Sequence, residues 1–194
     1  MHSDSNTARD DARPAISPTA TAIVDLLNSR PHGTTPALPE ALGTHRAAGI
    51  ILRPFGHPDT AVPSAERIAE VRSLRDLLMR MVVSRDSEEA APVRAQLTER
   101  AAAVTLRPAF VAPGQVRLRQ VDGDPVIGGI FLAVARLMGD GTWPRIRACG
   151  NELCTHVFYD TTRSGTRRWH AYESCGNRRN VAAFRARSKA RPGD

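Results

Sequence analysis

The chain has 194 residues, which is enough for one medium-sized domain or for one domain with a small module attached. Hydrophobic residues make up 41% of it and aromatic residues only 5%, so we expect a core built mainly from Leu, Val, Ile and Ala. No run approaches about 18 consecutive apolar residues, the length of a membrane-spanning helix. The polar N-terminus also lacks the apolar stretch of a secretory signal, so the sequence predicts a cytoplasmic protein without a membrane span.

The predicted elements begin after a polar segment, residues 1–17, which we expect to be disordered. Residues 19–29 predict a helix, because their large apolar side chains fall on one side. Proline and glycine interrupt residues 31–63, where we expect loops and one short helix near 38–48. The apolar side of the first helix comprises Ile23, Leu26 and Leu27.

The clearest helical pattern covers residues 64–85, with Ser64 as the N-cap residue. A second helix fits residues 88–103, in which Pro92 is tolerable only in the first turn. Short extended stretches follow, and in the last of them apolar residues alternate with arginines as in a half-exposed strand. These stretches are 104–107, 109–112 and 115–121, and the alternating residues are Val116, Arg117, Leu118 and Arg119.

The chain then turns at residues 122–125 and enters a predicted helix over about 126–138, after which Asp140-Gly141 marks a domain boundary. The elements predict an α+β fold: a mainly helical N-terminal domain with a small β-hairpin or short sheet, then a small C-terminal module with a terminal helix. The predicted segments are a disordered tail at 1–17, the α+β domain at 18–140 and the C-terminal module at 141–191.

The three cysteines lie close together between positions 149 and 175. An odd number of cysteines without an export signal argues against a disulfide framework and favours a metal site or catalysis. Cys149 and Cys154 have four residues between them, as have His170 and Cys175, and fifteen residues separate the two pairs. Two short-spaced pairs around a loop of this size are typical of one tetrahedral zinc. The spacing therefore predicts a structural Zn²⁺ bound by Cys149, Cys154, His170 and Cys175.

Three alternatives remain open for this cluster. The residues can be incidental, or His156 can replace His170 as the fourth ligand, although His170 would then be unexplained. A catalytic zinc usually keeps three protein ligands and one open position, whereas four candidates here fill the shell. No nucleophile with a positioned base is visible either, so an enzyme is the weakest interpretation.

Positive charge is concentrated around and after these residues. Of the net charge of +7, residues 1–139 contribute +1 and residues 140–194 contribute +6. Residues 177–190 can form a helix with Asn177 as N-cap, an apolar side and a cationic side. A cationic helix face is suited to nucleic-acid phosphates, although a solvated basic helix is the simpler alternative. The arginines that we expect to contact nucleic acid are Arg178, Arg179, Arg185 and Arg187.

The residues around the last cysteine form a specific motif. Cys175-Gly176-Asn177-Arg178 follows Arg167-Arg168-Trp169, the stretch Phe158-Tyr159-Asp160 and Arg163, and Phe184-Arg185-Ala186-Arg187 comes after it. This pattern, over the last 50 or so residues, resembles the CGNR zinc-finger family. Members usually continue from the tryptophan with Cys-Ser-Met, where this chain has His170-Ala171-Tyr172. A histidine thus takes the place of the usual second-pair cysteine, a change that zinc tolerates.

Val24-Asp25-Leu26-Leu27-Asn28 looks like the opening motif of the ABATE domain, an alanine-rich region that precedes the finger in that family. The helix–strand–helix order before Asp140 is also similar. Family members are described as stress-induced transcription regulators, so the resemblance implies a bacterial-type DNA-binding regulator. The alternatives are a zinc-dependent protein–protein interaction module and an RNA-binding protein in which Tyr172 stacks on bases. The domain order also suggests a small-molecule ligand for the N-terminal domain.

Overall fold

The computed structural model describes residues 15–33, 38–84, 87–88, 90–177 and 181. Five α-helices and two antiparallel hairpins follow one another along this part of the chain, which makes it an α+β protein as the sequence predicts. No helix in these ranges is both long enough and apolar enough to cross a membrane. The elements are α1 (Pro18–Asn28), α2 (His45–Leu52), α3 (Ala65–Val83), α4 (Ala90–Ala101), β1 (Thr105–Ala112), β2 (Gln115–Asp122), α5 (Pro125–Gly139), β3 (Ile146–Ala148) and β4 (Val157–Tyr159).

The first, third and fifth helices supply most of one aliphatic core. α1 begins at its N-cap Ser17 and buries Ile23, Leu26 and Leu27, as its pattern predicts. α3 begins after Ser64, whose side chain accepts a hydrogen bond from the Arg67 amide, so the predicted cap is confirmed. The predicted tail at 1–17 lies, apart from residues 15–17, outside the described residues.

The segment between α1 and α3 differs from the single helix expected near 38–48. Glu40 accepts a hydrogen bond from the Leu42 amide and closes one 3₁₀ turn, Ala41–Gly43. Thr44 then has extended backbone angles, and its hydroxyl caps a new helix, α2, through the Ala47 amide. The two side-chain caps divide the single short helix that was expected near 38–48, because each starts a turn of its own.

The buried face of α3 contains a charged residue that the sequence analysis did not single out. Arg75 is only 3% exposed and donates hydrogen bonds to both Glu40 carboxylate oxygens at 2.8 and 2.9 Å, and to the Ser29 hydroxyl at 2.9 Å. The signal was present, because Arg75 falls between Val71 and Leu78 on the apolar stripe. A cation at such a position requires an anionic partner, and Glu40, whose side chain is 25% exposed, provides it.

The hairpin β1–β2 is longer and more exposed than expected. Its strands have eight residues each, and none of those residues is buried. The three short stretches predicted between 104 and 121 therefore form two continuous strands, and the expected half-exposed strand is exposed on both faces. Gln120 anchors the base of the hairpin by donating hydrogen bonds to the carbonyls of Gly123 and Asp124.

α5 follows the hairpin closely and starts at Asp124, whose carboxylate accepts hydrogen bonds from the Val126 and Ile127 amides. A Cβ on Gly129 would lie 2.2 Å from the Phe55 carbonyl oxygen, so only glycine allows the helix to pack this closely on residues 53–55. The glycine pair of α5 thus serves packing rather than phosphate binding.

The second hairpin, β3–β4, has strands of only three residues and packs against the same core as the helices. Ile146 and Val157 are fully buried, and Tyr159 is 8% exposed. The core is therefore continuous across residues 140–141, and the division of the chain at this point stays a prediction.

Candidate metal centre and its contacts with the helical region

The four predicted ligands come from the loops at one end of the β3–β4 hairpin. Cys149 directly follows β3, and its amide donates a hydrogen bond to the His156 carbonyl at 2.7 Å. Cys154 lies in the loop that joins the two strands, and His170 lies in the segment after β4. Cys175 is part of a π-helical turn, Tyr172–Gly176. The hairpin thus brings together residues that are up to 26 positions apart in sequence.

One potential ligand atom from each of these four residues lies within 4.8 Å of all the others. His170 Nδ1 is 3.5 Å from Cys154 Sγ and 3.7 Å from Cys175 Sγ. A tetrahedral zinc with sulfur at about 2.3 Å and nitrogen at about 2.0 Å separates neighbouring ligand atoms by roughly 3.5–3.8 Å. The three cysteines are at most 7% exposed, and their side chains cluster with that of Trp169. The donor set and its spacing fit a zinc ion.

His156, the alternative ligand, lies beside this group and not within it. Its ring lies against that of His170, tilted by 40° with centroids 4.5 Å apart, and against that of His32, tilted by 43° with centroids 4.9 Å apart. Burial lowers the pKa of His156 to about 4, with further contributions from His170, His32 and Arg30. The ring is therefore neutral at neutral pH and packs as a flat, uncharged side chain.

Burial and local charge set the protonation states of the central group. Burial lowers the pKa of His170, and Arg167 lowers it further, so the ring is held in the neutral form that binds metal. Burial raises the pKa of the Cys154 thiol to about 12. Burial also acts to raise the pKa of Cys175, but side-chain hydrogen bonds, led by that of Asn151, outweigh it and lower the value below 9.0.

Two family models match the chain in succession. The model described as "ABATE: Putative stress-induced transcription regulator" matches residues 20–141, which is more than half of the 194 residues. The chain belongs to the ABATE family. The model described as CGNR zinc finger matches residues 145–188 and so contains the whole Cys₃His group. No curated protein sequence matches the chain. The order of the two matches confirms the resemblance that the sequence motifs predicted.

In this ABATE protein, the end of α1 is hydrogen-bonded to the finger hairpin. The Asn28 side chain donates to the Val157 carbonyl at 2.8 Å and accepts from the Val157 amide at 2.8 Å. It therefore pairs with β4 as a peptide group of a neighbouring strand would. Asn28 is the last residue of the Val24–Asn28 motif, so the motif contributes a contact with the finger as well as core leucines.

The residues just after Asn28 hold the loop that carries Cys154. Arg30 donates hydrogen bonds from its guanidinium to the Thr155 carbonyl and hydroxyl, and the Gly33 amide donates to the Cys154 carbonyl at 2.9 Å. Thr155 has a φ of 52°, which is uncommon for a residue with a β-branched side chain. The ABATE region thus supports a strained ligand loop from outside the finger. This contact cannot be predicted from the sequence, since no local pattern links residues 28–33 to 154–157.

Asp160 organises the segment between β4 and His170. Its carboxylate accepts hydrogen bonds from the Thr162 amide at 2.9 Å and from the Arg167 amide at 2.8 Å. Burial acts to raise its pKa, but the hydrogen bonds from Thr162 and Arg167 outweigh it and the pKa is lowered. Asp160 is fully buried. Through its bonds to the Thr162 and Arg167 amides it fixes the shape of the loop that leads to His170.

Several arginines of the basic region are used within the finger itself. Arg145 donates to the carbonyls of Asp160 and Thr162, and Arg147 donates to that of Gly165. Arg167 donates to the carbonyls of Trp169 and His170. The charge that the sequence concentrates after position 140 thus serves partly to close loops.

The residues predicted to bind nucleic acid, Arg178, Arg179, Arg185 and Arg187, lie outside the described residues, as does most of the predicted helix 177–190. Asn177 has helical angles, φ −62° and ψ −43°, and continues the π-helical turn that contains Cys175. An N-cap residue typically has extended angles, so the prediction of Asn177 as N-cap is wrong. The helical geometry begins earlier, at Tyr172.

Proposed function

We propose that this protein is a DNA-binding transcription regulator in which one structural Zn²⁺, bound by Cys149, Cys154, His170 and Cys175, orients a basic C-terminal segment. The observation that carries the proposal is the convergence of three cysteines and one histidine immediately before that segment. The ABATE and CGNR descriptions support a regulatory protein with a zinc finger. A bacterial, cytoplasmic setting is part of the same proposal.

The proposed metal is structural because four protein side chains complete a tetrahedral shell and leave no position for a substrate. Three thiolates, one neutral imidazole and Zn²⁺ carry a net charge of −1, and arginines surround the group. Arg167 lies against the His170 carbonyl, and Arg30 lies against the Cys154–Thr155 loop. Zinc supplies rigid cross-links between loops that have little core of their own.

DNA contact is assigned to Arg178, Arg179, Arg185 and Arg187, which follow Cys175 within twelve residues of sequence. Arginine binds phosphate oxygens strongly, and each neutralised phosphate releases counterions from the duplex. If all four contact phosphates, the logarithm of the affinity falls with the logarithm of salt concentration at a slope steeper by about 4.

The experiment measures binding of purified protein to mixed-sequence duplex DNA over a range of salt concentrations. Replacement of the four arginines by alanine is expected to weaken binding at least tenfold and to make the slope shallower by about 4. The control replaces four arginines on the helices, Arg46, Arg53, Arg80 and Arg94, which removes the same charge. Unchanged affinity in the first variant at low salt would refute the assignment.

The role of the metal is tested in the same assay. Metal analysis is expected to find about one zinc per chain, and a chelator or Cys175→Ser should abolish DNA binding. Leu153→Ser, next to the ligand Cys154 and 80% exposed, is the matched control and should bind normally. Full DNA binding by metal-free protein would contradict the proposal.

An RNA-binding function has one observation in its favour: Tyr172 is 54% exposed, with its ring edge-on to Trp169 at 6.0 Å. An exposed aromatic side chain can stack on an unpaired base. A competition assay between single-stranded RNA and duplex DNA distinguishes the RNA-binding from the DNA-binding function, with Tyr172→Ala as the test variant. Loss of binding to RNA alone would favour this second function, and an acidic protein partner remains the interpretation if neither nucleic acid binds.

The predicted small-molecule ligand has a candidate place in the described part of the chain. An open groove of about 1120 Å³ lies between β2 and α5, with Phe55, Leu118 and Leu132 among its apolar residues and Arg117 and Arg136 among its polar ones. Binding of a ligand there is a proposal that thermal-shift screening of small anionic compounds can test. A shift lost in Arg136→Ala would locate the ligand in this groove.

A further inference from the structure

The β1–β2 hairpin has two chemically different faces, which its register defines. Residues directly opposite each other point to the same side of a hairpin. Phe110 is paired with Val116, and Pro108 with Leu118, which makes one face apolar. Arg107 is paired with Arg119, and Ala109 with Arg117, which makes the other face basic. We call Arg107, Arg117 and Arg119 the arginine face.

Part of the apolar face borders the helices, whereas Phe110, near the turn of the hairpin, is 84% exposed. Val116, Leu118 and Gln120 line the groove beside α5, and Leu106 packs against the main core. Gln120 also anchors this side through its bonds to the turn before α5. The three side chains of the arginine face are exposed to solvent, and Arg117 also borders the groove beside α5.

The arginine face has a composition that is unfavourable for an isolated hairpin. Like charges directly opposite each other, as in the Arg107–Arg119 pair, destabilise a two-stranded sheet. Within the described residues, none of the three side chains forms an ion pair. The single acidic residue of the two strands is Asp122, at the base of the hairpin, where it is paired with Thr105. An anionic partner outside the chain would relieve the repulsion.

We propose that the arginine face is a second DNA-binding surface, which binds the phosphate backbone of duplex DNA. A two-stranded β-ribbon fits into the major groove, which is about 12 Å wide, and arginine forms bidentate bonds with phosphate. The face has no acidic group to repel the backbone. This inference rests on the proposed DNA-binding function but assigns a separate surface, more than 50 residues before the first arginine proposed after Cys175.

The test variant carries Arg107→Gln, Arg117→Gln and Arg119→Gln in the full-length, zinc-loaded protein. Glutamine keeps a long polar side chain and removes the charge, so the hairpin should fold at least as stably as before. Duplex DNA binding is expected to weaken at least tenfold at moderate salt, and the salt slope should become shallower by about 3. The control removes equal charge from helix surfaces through Arg46→Gln, Arg80→Gln and Arg94→Gln, and should leave the slope nearly unchanged.

The outcomes separate this inference from the proposed function. A shallower salt dependence of DNA binding in the hairpin variant, but not in the control, supports DNA binding by the arginine face. This holds whatever the variant of the C-terminal arginines shows. An unchanged slope in the hairpin variant overturns the inference, and the proposed function stands if the C-terminal variant still loses binding. Equal losses in the hairpin variant and the control overturn it too, because net charge would then explain the effect. Loss on single-stranded RNA alone overturns the assignment to DNA, and absence of any binding by the unaltered protein overturns both proposals.

Discussion

The two hairpins of this protein have opposite relations to its core. The β1–β2 hairpin has sixteen strand residues, none of them buried, whereas β3–β4 has six, of which Ile146 and all three residues of β4 are buried. The longer hairpin has more ladder hydrogen bonds, but the shorter one has helices, a side-chain amide and the candidate metal group around it. Packing and cross-linking, more than strand length, therefore fix the position of a hairpin.

The difference also separates two tasks. The short hairpin positions ligand atoms that must meet within a fraction of an ångström, so it is held from several sides by Asn28, Arg30 and Asp160. The long hairpin offers a charged surface, and a surface requires exposure more than precision. If this comparison is right, disturbance of the short hairpin should reach the whole fold, while disturbance of the long one should remain local.

Removal of the proposed metal should have the largest effect. Structural zinc contributes on the order of 10 kcal/mol to the folding of isolated fingers, so Cys154→Ser or chelation should lower stability by at least about 5 kcal/mol. Because Ile146 and Val157 belong to the main core, helical circular dichroism should also melt at lower temperature. The control is Leu153→Ser at a neighbouring position that is 80% exposed. Helical melting that is the same with and without zinc would show that the two regions are independent.

Truncation of one apolar side chain in each hairpin should give the next largest effect. Ile146→Ala creates a cavity in a fully buried position and is expected to cost about 2–4 kcal/mol in the zinc-loaded protein. Leu118→Ala, at a position 45% exposed, should cost less than about 1 kcal/mol. Urea denaturation measures both values. Similar losses in the two variants would break the comparison, since the long hairpin would then be part of the cooperative core.

The sequence predicts those parts of the structure that depend on local spacing. The helices α1, α3 and α5 follow from apolar residues at helical intervals and from caps such as Ser64. The candidate metal group follows from the spacing of Cys149, Cys154, His170 and Cys175, because two short-spaced pairs of such residues around a loop are typical of one zinc site. The group that the structure brings together contains His170 and not His156, and the binding of a metal by His170 stays a prediction.

Contacts between distant residues could not be predicted in this way. Nothing near Asn28 indicates that its amide pairs with Val157, because the two are 129 positions apart. The alternation in β2 predicted a strand but not its exposure, since exposure depends on whether a neighbouring element covers it. Arg75 could have been found from its place on an apolar stripe, although its partner Glu40 could not.

Disruption of the Asn28–Val157 pair tests the connection between the short hairpin and the helices. Asn28→Asp keeps the shape but places a carboxylate oxygen against the Val157 carbonyl, which accepts a hydrogen bond in the unaltered protein. Loss of that bond, with repulsion in its place, should cost about 2 kcal/mol in urea denaturation. Asp25→Asn, on the exposed side of the same helix, is the control and should change stability by less than about 0.5 kcal/mol. Equal losses of stability in the two variants would show that the Asn28–Val157 pair has no special role.

The smallest predicted effect concerns the dependence of stability on acid pH, which we expect to involve the ion pair between Arg75 and Glu40. Burial acts to raise the pKa of Glu40, but the hydrogen bonds and charge of Arg75 outweigh it, and the pKa in the folded protein lies below 4.5. The unfolded chain then binds this proton more readily than the folded one. The stabilisation is therefore complete above pH 4.5 and is lost as the pH falls through the lower, folded-state pKa.

Glu40→Gln removes this titration and should make the acid dependence of stability shallower, while it lowers stability at neutral pH by about 1–2 kcal/mol. The measurement is urea denaturation at a series of pH values from neutral to about 3. Asp59→Asn is the matched control, because its ion pair with Arg53 is exposed and should contribute little to the pH dependence. If Asp59→Asn flattens the profile as much as Glu40→Gln, acid acts through general surface charge, and the Arg75–Glu40 pair has no special part in the pH dependence.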